Sequence, residues 1–399
     1  MFNSITPNSQ VTYMEVYVAE QQSIHVSGRQ RLCSEGADSW ERSLGRAMDR
    51  RGQMAAAYVG AVVGAGFATG QEVLTFFVVY GCRGLLGIVL VTLGFCAFGA
   101  LSFSTAQELQ VASYKNLLQA VGRPLWARFY DITITCFLAA GAGVMLAGAG
   151  SLVEQQWRMP AILGVGATAV ITGISCYAGT RGIFLLNGYL VPVMAASVIS
   201  LGLVSIDGLW QSFSPSGTSQ LWSSTPSPLL PNWWIGALTY LSYNSILGVS
   251  ACTPLAASLP HRKWAVWAGV VGGLALGLML LSSSLAIWNG DPQVVQLAVP
   301  LLRTASQVAP GLGSIYGVII WFAMLTTAAN NLYAVIARLG RQPTPGLVGG
   351  LLVLSFALSL FGFSSLIQLL YPFFGYLGCC CWLQMIIYRW RSRFLMRRK

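Results

Sequence analysis

Gly60-Ala61-Val62-Val63-Gly64-Ala65-Gly66-Phe67-Ala68-Thr69-Gly70-Gln71-Glu72 places four glycines and a carboxylate inside the first long apolar segment of the chain. Glycine is a poor helix former and gives access to backbone conformations that leave peptide groups unpaired. In hydrocarbon each unpaired N–H or C=O costs several kcal/mol, so such a break persists only where it lines a cavity or binds something. Interrupted helices of this kind build solute and ion sites near the bilayer midplane in secondary transporters. The stretch therefore predicts a discontinuous membrane helix with a site at the break.

Composition fixes the setting. The chain is 55% hydrophobic and 9% charged, with a mean hydropathy of +0.63. A soluble domain carries about a quarter charged residues and could not be surfaced by this chain. Apolar runs near twenty residues recur from Met54 to Tyr388. Each can cross about 30 Å of hydrocarbon as a helix. The class is an all-α polytopic membrane protein. The expected spans are 54–80, 84–107, 125–153, 160–178, 182–206, 231–257, 263–288, 312–338, 345–362 and 365–388. The connection 289–311 is expected to carry a short external helix.

Residues 1–50 differ: they are polar, hold half of the acidic residues and lack a signal-peptide layout. They read as a disordered tail or as an over-extended gene start ahead of Met48. Residues 51–206 form a first five-helix repeat, 207–230 an external loop rich in Ser and Pro, 231–390 a second repeat and 391–399 a basic tail.

Ten spans with the N-terminus inside put sixteen bases, among them Lys115, Arg123, Arg128, Arg181, Arg262, Arg338, Arg341 and the six from Arg389 to Lys399, on one side. Only Arg83, Arg158 and Arg303 fall on the other. That bias predicts a multi-pass protein with cytoplasmic termini, which in a bacterium lies in the cytoplasmic (inner) membrane. It also accounts for the net charge of +11 without a nucleic acid partner. The lipid bilayer and a small-molecule solute are the expected partners, and no obligate protein partner is evident. Most of the nine cysteines lie in apolar segments and read as small hydrophobes rather than a disulfide framework.

Span six, around Tyr243-Asn244-Ser245-Ile246-Leu247-Gly248-Val249-Ser250-Ala251-Cys252-Thr253-Pro254, reads as a second interrupted helix, five spans after the first. Spans three and eight, also five apart, are both long. An odd number of spans per half inserts the halves in opposite senses, so the pattern is a 5+5 inverted repeat with helices 1 and 6 discontinuous.

With these features the chain resembles the sodium-coupled branch of the bacterial leucine transporter (LeuT) fold, in the amino acid–polyamine–organocation grouping. More narrowly, residues 50 to 390 resemble the YkvI family of uncharacterised bacterial membrane proteins, whose first span carries a similar Gly-Ala-Gly-Phe-Ala-(Ser/Thr)-Gly-Gln-Glu motif. The resemblance implies a sodium site at a Gly-x-x-Val-Gly-x-Gly pattern in span one and an Ala-x-x-(Thr/Ser)-(Thr/Ser) pattern in span eight. Here Gly60, Val63 and Ala323 would give carbonyls, and Thr326 and Thr327 hydroxyls. Sodium is the one ion expected, and no organic cofactor is. Taken alone, Thr326 and Thr327 read more readily as hydroxyls bonded back to their own helix; paired with the matching span-one pattern the balance moves to the sodium site. Proton-coupled relatives of the fold can place a span-five lysine at this point; 183–206 holds no strong base.

The resemblance also implies solute binding by amides near Gly64, Ala65 and Gly66, with Phe67 shaping the pocket and Tyr240, Tyr243, Asn244 and Ser245 supplying polar groups from span six. Phe137 to Gly143 offers no mid-span tyrosine hydroxyl, which weighs against an α-amino acid. Glu72 is expected to bind a cationic group or couple protons, the structural alternatives being an ion pair with Arg83 or a helix cap. Asn330 and Asn331 are further polar candidates, whereas Glu108, Asp131 and Glu154 lie towards span ends. With histidine only at 25 and 261, and no Walker loop or βαβ unit around the glycines, the sequence does not describe an enzyme. The function expected is sodium-coupled symport of a small polar or zwitterionic solute by alternating access. The alternatives are a proton-coupled carrier using Glu72, and a transporter-fold sensor or scaffold that moves nothing.

Overall fold

The structure, a computed structural model, describes residues 50–111, 113–121, 124–178, 180–206, 226–290, 292–340 and 342–396. The tail 1–49, most of the loop 207–230, Arg123, Arg341 and the side chains of the C-terminal bases lie outside the described residues. The chain divides into two units, 1–53 and 54–399, and the second holds everything that follows apart from residues 50–53.

The described residues form helices joined by turns, with no strand among them. In chain order they are α1 (Arg50–Val62), α2 (Ala65–Thr69), α3 (Gln71–Phe76), α4 (Cys82–Leu109), α5 (Tyr114–Val121), α6 (Pro124–Trp157), α7 (Ala161–Ala178) and α8 (Thr180–Val204). There follow α9 (Trp233–Ala257), α10 (Arg262–Trp288), α11 (Pro300–Val308), α12 (Pro310–Arg338), α13 (Pro345–Ser359) and α14 (Phe363–Met396). Five helices, α4, α6, α10, α12 and α14, are long and apolar enough to cross a membrane. The other apolar helical stretches, 71–80, 161–177, 188–204 and 345–359, are shorter. Large apolar side chains such as Leu86, Val89 and Leu93 on α4, Val170 and Ile174 on α7, and Val353 and Leu354 on α13 are exposed. A continuous apolar exterior of this kind is a surface for lipid. This is a multi-pass membrane protein.

The first apolar segment is the irregular one. After Val62 the backbone leaves the helix, and Gly64 is extended at φ −101°, ψ −178°. The Gly64 N–H turns to the Val62 carbonyl at 3.0 Å, leaving the Gly60 carbonyl without its usual partner four residues on. Phe67 and Ala68 both donate to Gly64, so the Val63 carbonyl loses its partner as well. Gly70 then closes α2 in the left-handed region at φ 82° and opens α3. Its Cα faces Leu301 and Ile287 so closely that an added Cβ would lie 2.7 Å from Leu301 Cγ. Only glycine satisfies both the dihedral and the contact.

Span six departs from expectation: α9 is a single helix from Trp233 to Ala257. The residues read as a break are accommodated within it. Asn244 Nδ2 donates to the Tyr240 carbonyl at 3.1 Å and Thr253 Oγ1 to Val249 at 2.6 Å. Pro254 falls in the last turns, and one glycine, Gly248, stands where span one has a Gly-x-Gly pair. Polar side chains bonded back along their own helix need no backbone opening.

The most extensive helix packing joins α4 to α10, where Gly99 and Gly269 meet backbone to backbone; α4 with α9 follows, and then α6 with α12. In the first and the third of these pairs an expected span packs on the one expected five places later. The long helices α6 and α12 have 34 and 29 residues, though α14 also reaches 34. The connection after α10 does carry a short helix, α11.

Candidate functional site

A cavity of about 460 Å³ lies at the span-one break, walled by α1, α2, α3, α6, α8, α9, α12 and α14. Span one contributes Gly60 to Gly66 and Glu72, α12 contributes Ala323, Thr326, Thr327, Asn330 and Asn331, and α9 contributes Tyr243, Asn244, Leu247, Ser250 and Ala251. Among the described residues one carboxylate lines it and no lysine, arginine or histidine does.

The two ends differ. Along α9 and α12 the lining runs from mid-helix towards the end that carries Lys115, Arg262, Lys263 and Arg338, and Ala251 there is exposed. Towards the other end Phe76, Phe77, Tyr240 and Leu301 are fully buried, and Tyr240 is ringed by Phe76, Phe77 and Phe95 at 5.4, 5.0 and 6.2 Å. Hydrogen bonds tie that end shut. Tyr316 Oη donates to the Ala68 carbonyl at 2.7 Å and Tyr80 Oη to Leu230 at 2.6 Å. The Gln155 amide exchanges two bonds with the backbone of Val299, at 3.0 and 3.1 Å.

Glu72 sits beyond the break, in the first turn of α3, and is 5% exposed. Its side chain turns back to the cavity, where Oε2 accepts from Tyr243 Oη at 2.8 Å and Oε1 lies against Gly66. It has no ion-pair partner among the described residues, and Arg83 is exposed at the start of α4. Neither structural alternative for this carboxylate matches that geometry.

Of the residues expected to bind an ion, Gly60, Val63, Ala323, Thr326 and Thr327 all line this cavity. Thr326 Oγ1 donates to the Ala323 carbonyl at 3.1 Å, so two of these groups are bonded to each other. The five are neutral oxygen donors on two facing elements, a set suited to a hard cation. Of the residues expected to bind solute, Gly64, Ala65, Gly66, Glu72, Tyr243 and Asn244 line the cavity. Phe67, Tyr240 and Ser245 are buried and are not among its lining residues. Phe67 lies one helical step, about 100°, past Gly66 and so turns away from the opening. Tyr240 belongs to the aromatic layer that closes the cavity, packed on Phe76, Phe77 and Phe95. Ser245 is buried on another face of α9.

Phe137, Tyr371, Ser250 and Tyr333 are lining residues that sequence reasoning did not select for the site. A signal for Tyr371 was available in Pro372, a proline inside α14. Lacking an N–H, it leaves the Gln368 carbonyl free, and Ser227 Oγ takes that carbonyl at 3.1 Å. Glu108 and Asp131 lie away from the cavity at the basic end. Glu108 pairs with Arg262, and Asp131 holds Lys115 at 2.9 Å, Arg338 at 3.1 Å and the Tyr114 hydroxyl.

No family model matches the chain. It is similar to two proteins of Bacillus subtilis (strain 168). The uncharacterized membrane protein YkvI is 28% identical over 329 residues, 82% of this chain and 92% of YkvI. The uncharacterized protein YyaD is 26% identical over 340 residues, 84% of this chain and 96% of YyaD. These are its homologues, as the span-one motif led us to expect. Among solved structures, MhsT in complex with L-phenylalanine is similar with 16% identity, a TM-score of 0.49 and 79% of each chain covered. A manganese transporter of Eremococcus coleocola gives 15%, 0.45 and coverage of 77% and 69%. Mhp1, a nucleobase-cation-symport-1 family transporter in a closed conformation with bromovinylhydantoin bound, gives 12%, 0.43 and coverage of 80% and 74%.

Proposed function

We infer that the protein is a secondary active transporter that moves a small solute by alternating access, with sodium as the coupling ion. One observation carries the reading: a cavity built on a broken helix inside an apolar bundle reaches towards one end and is sealed by buried aromatic rings at the other. This is the arrangement of a carrier accessible from a single side. The pairing of α4 with α10 and of α6 with α12 supports the inverted repeat, although α9 stays unbroken. On the charge bias the basic end faces the cytoplasm, so this state faces inwards.

The carbonyls of Gly60, Val63 and Ala323 and the hydroxyls of Thr326 and Thr327 would hold the sodium ion. Bound there, it would tie span one to α12 and stabilise one of the two access states. Coupling requires that difference, because an ion bound equally in both states shifts nothing.

Thermal unfolding of the full chain in sodium and in potassium at equal ionic strength tests the ion site, with the Thr326→Ala/Thr327→Ala double variant as control. A ligand at a hundred times its dissociation constant stabilises by about 2.7 kcal/mol, and no solute need be known. We expect a sodium-specific rise that the double variant loses. No rise, or an equal rise in the variant, overturns the ion assignment. The second reading, proton coupling, is favoured by the position of Glu72 in the cavity wall. Flux that follows a pH gradient and disappears in Glu72→Gln would establish it over sodium.

A further inference from the structure

We propose that the solute taken by this cavity is an organic cation, a small ammonium compound held between the Glu72 carboxylate and the rings of Phe137, Tyr243 and Tyr371. The proposal rests on the cavity being the solute site. Charge is the first argument. Among the described residues Glu72 is the one carboxylate of the lining, no lysine, arginine or histidine accompanies it, and a single hydroxyl donor reaches it, from Tyr243. A carboxylate inside an apolar bundle is expensive until paired, and a cationic ligand is the partner the lining omits.

Position weighs against the opposite charge. A Cβ at Gly66 would run into Glu72 Oε1, so the carboxylate lies directly against the break, where an anionic group would have to approach it. With five residues, α2 is also too short to offer an anion a helix dipole of any size. An anion meets the Glu72 charge there, and a zwitterion finds no base for its own carboxylate.

The rings supply the rest of the recognition. Phe137, Tyr243 and Tyr371 all line the cavity with centroids 5.9, 5.7 and 5.1 Å apart, one continuous aromatic surface beside the carboxylate. Aromatic faces attract ammonium groups, and most strongly where water is excluded.

Calorimetric titration of the full chain in nanodiscs tests this with choline, ethanolamine and putrescine as cationic probes and dimethylbutanol, the uncharged carbon isostere of choline, as control. At least one cation should bind at least tenfold more tightly than the control. Glu72→Gln should weaken it by about tenfold or more, and Phe137→Leu, which keeps the bulk and removes the ring face, by about fivefold. The leucine variant keeps the test decisive if the glutamine variant does not fold. Equal binding of the uncharged isostere, unchanged binding in both variants, or no binding by any of the three cations overturns the proposal. Cation binding without flux into proteoliposomes would refute transport and leave this inference standing. Flux of a neutral or anionic solute would do the reverse.

Discussion

Substituting the two glycines that bracket α2 separates the geometry of the break from its mere flexibility. Gly70 holds φ 82°, and an alanine there adds a Cβ 2.7 Å from Leu301 Cγ and 3.2 Å from Ile287 Cδ1. The left-handed dihedral costs a non-glycine residue about 1–2 kcal/mol. Overpacking a well-filled core adds about 1–3 kcal/mol. Gly70→Ala should therefore destabilise by about 2–5 kcal/mol, because Leu301 and Ile287 belong to the sealed end and have nowhere to move. Gly64, at φ −101° and ψ −178°, has nothing within 4 Å of an added Cβ. Alanine is at ease in that extended conformation, and Gly64→Ala should stay within about 0.5 kcal/mol of the parent. Reversible unfolding by SDS in mixed micelles measures both. Equal losses in the two variants, or a loss at Gly64 exceeding that at Gly70, would refute the assignment of the two dihedrals and with it the path of span one through the site.

Asp131→Asn removes the charge shared by Lys115, Arg338 and the Tyr114 hydroxyl at the basic end. The Asp131 and Arg338 side chains are 29% and 16% exposed, so screening limits the loss to about 1 kcal/mol. The difference between parent and variant in thermal unfolding should shrink in molar KCl; a loss indifferent to salt would contradict the electrostatic account. Ser227→Ala should cost about 1 kcal/mol by leaving the Gln368 carbonyl without its donor. In a Pro372→Ala background the restored N–H can take that carbonyl, so the cost of Ser227→Ala should fall towards zero in a double-mutant cycle. An unchanged cost would show that Ser227 acts through something other than Gln368.

Much of this architecture is legible in the order of residues. Low charge and recurring apolar runs dictate lipid as the solvent, and lipid dictates helices, because nothing else there pairs every peptide group locally. The glycines from Gly60 to Gly70 mark the interruption for the same reason, since dihedral freedom is a property of the residue itself. The polar residues of span six carried no such information. Asn244 and Thr253 are compatible with a broken helix or with bonds to their own carbonyls, and packing chose the second. Likewise Tyr240 and Tyr243 are indistinguishable in sequence, yet one is sealed among Phe76, Phe77 and Phe95 while the other bonds Glu72 in the cavity wall. Which end of the cavity is closed, which way Glu72 turns, and that Phe137 and Tyr371 meet beside it from spans three and ten were decided by tertiary structure alone. Those are contacts between residues far apart in the chain, fixed by how whole helices fit together, and periodicity within one helix does not encode them.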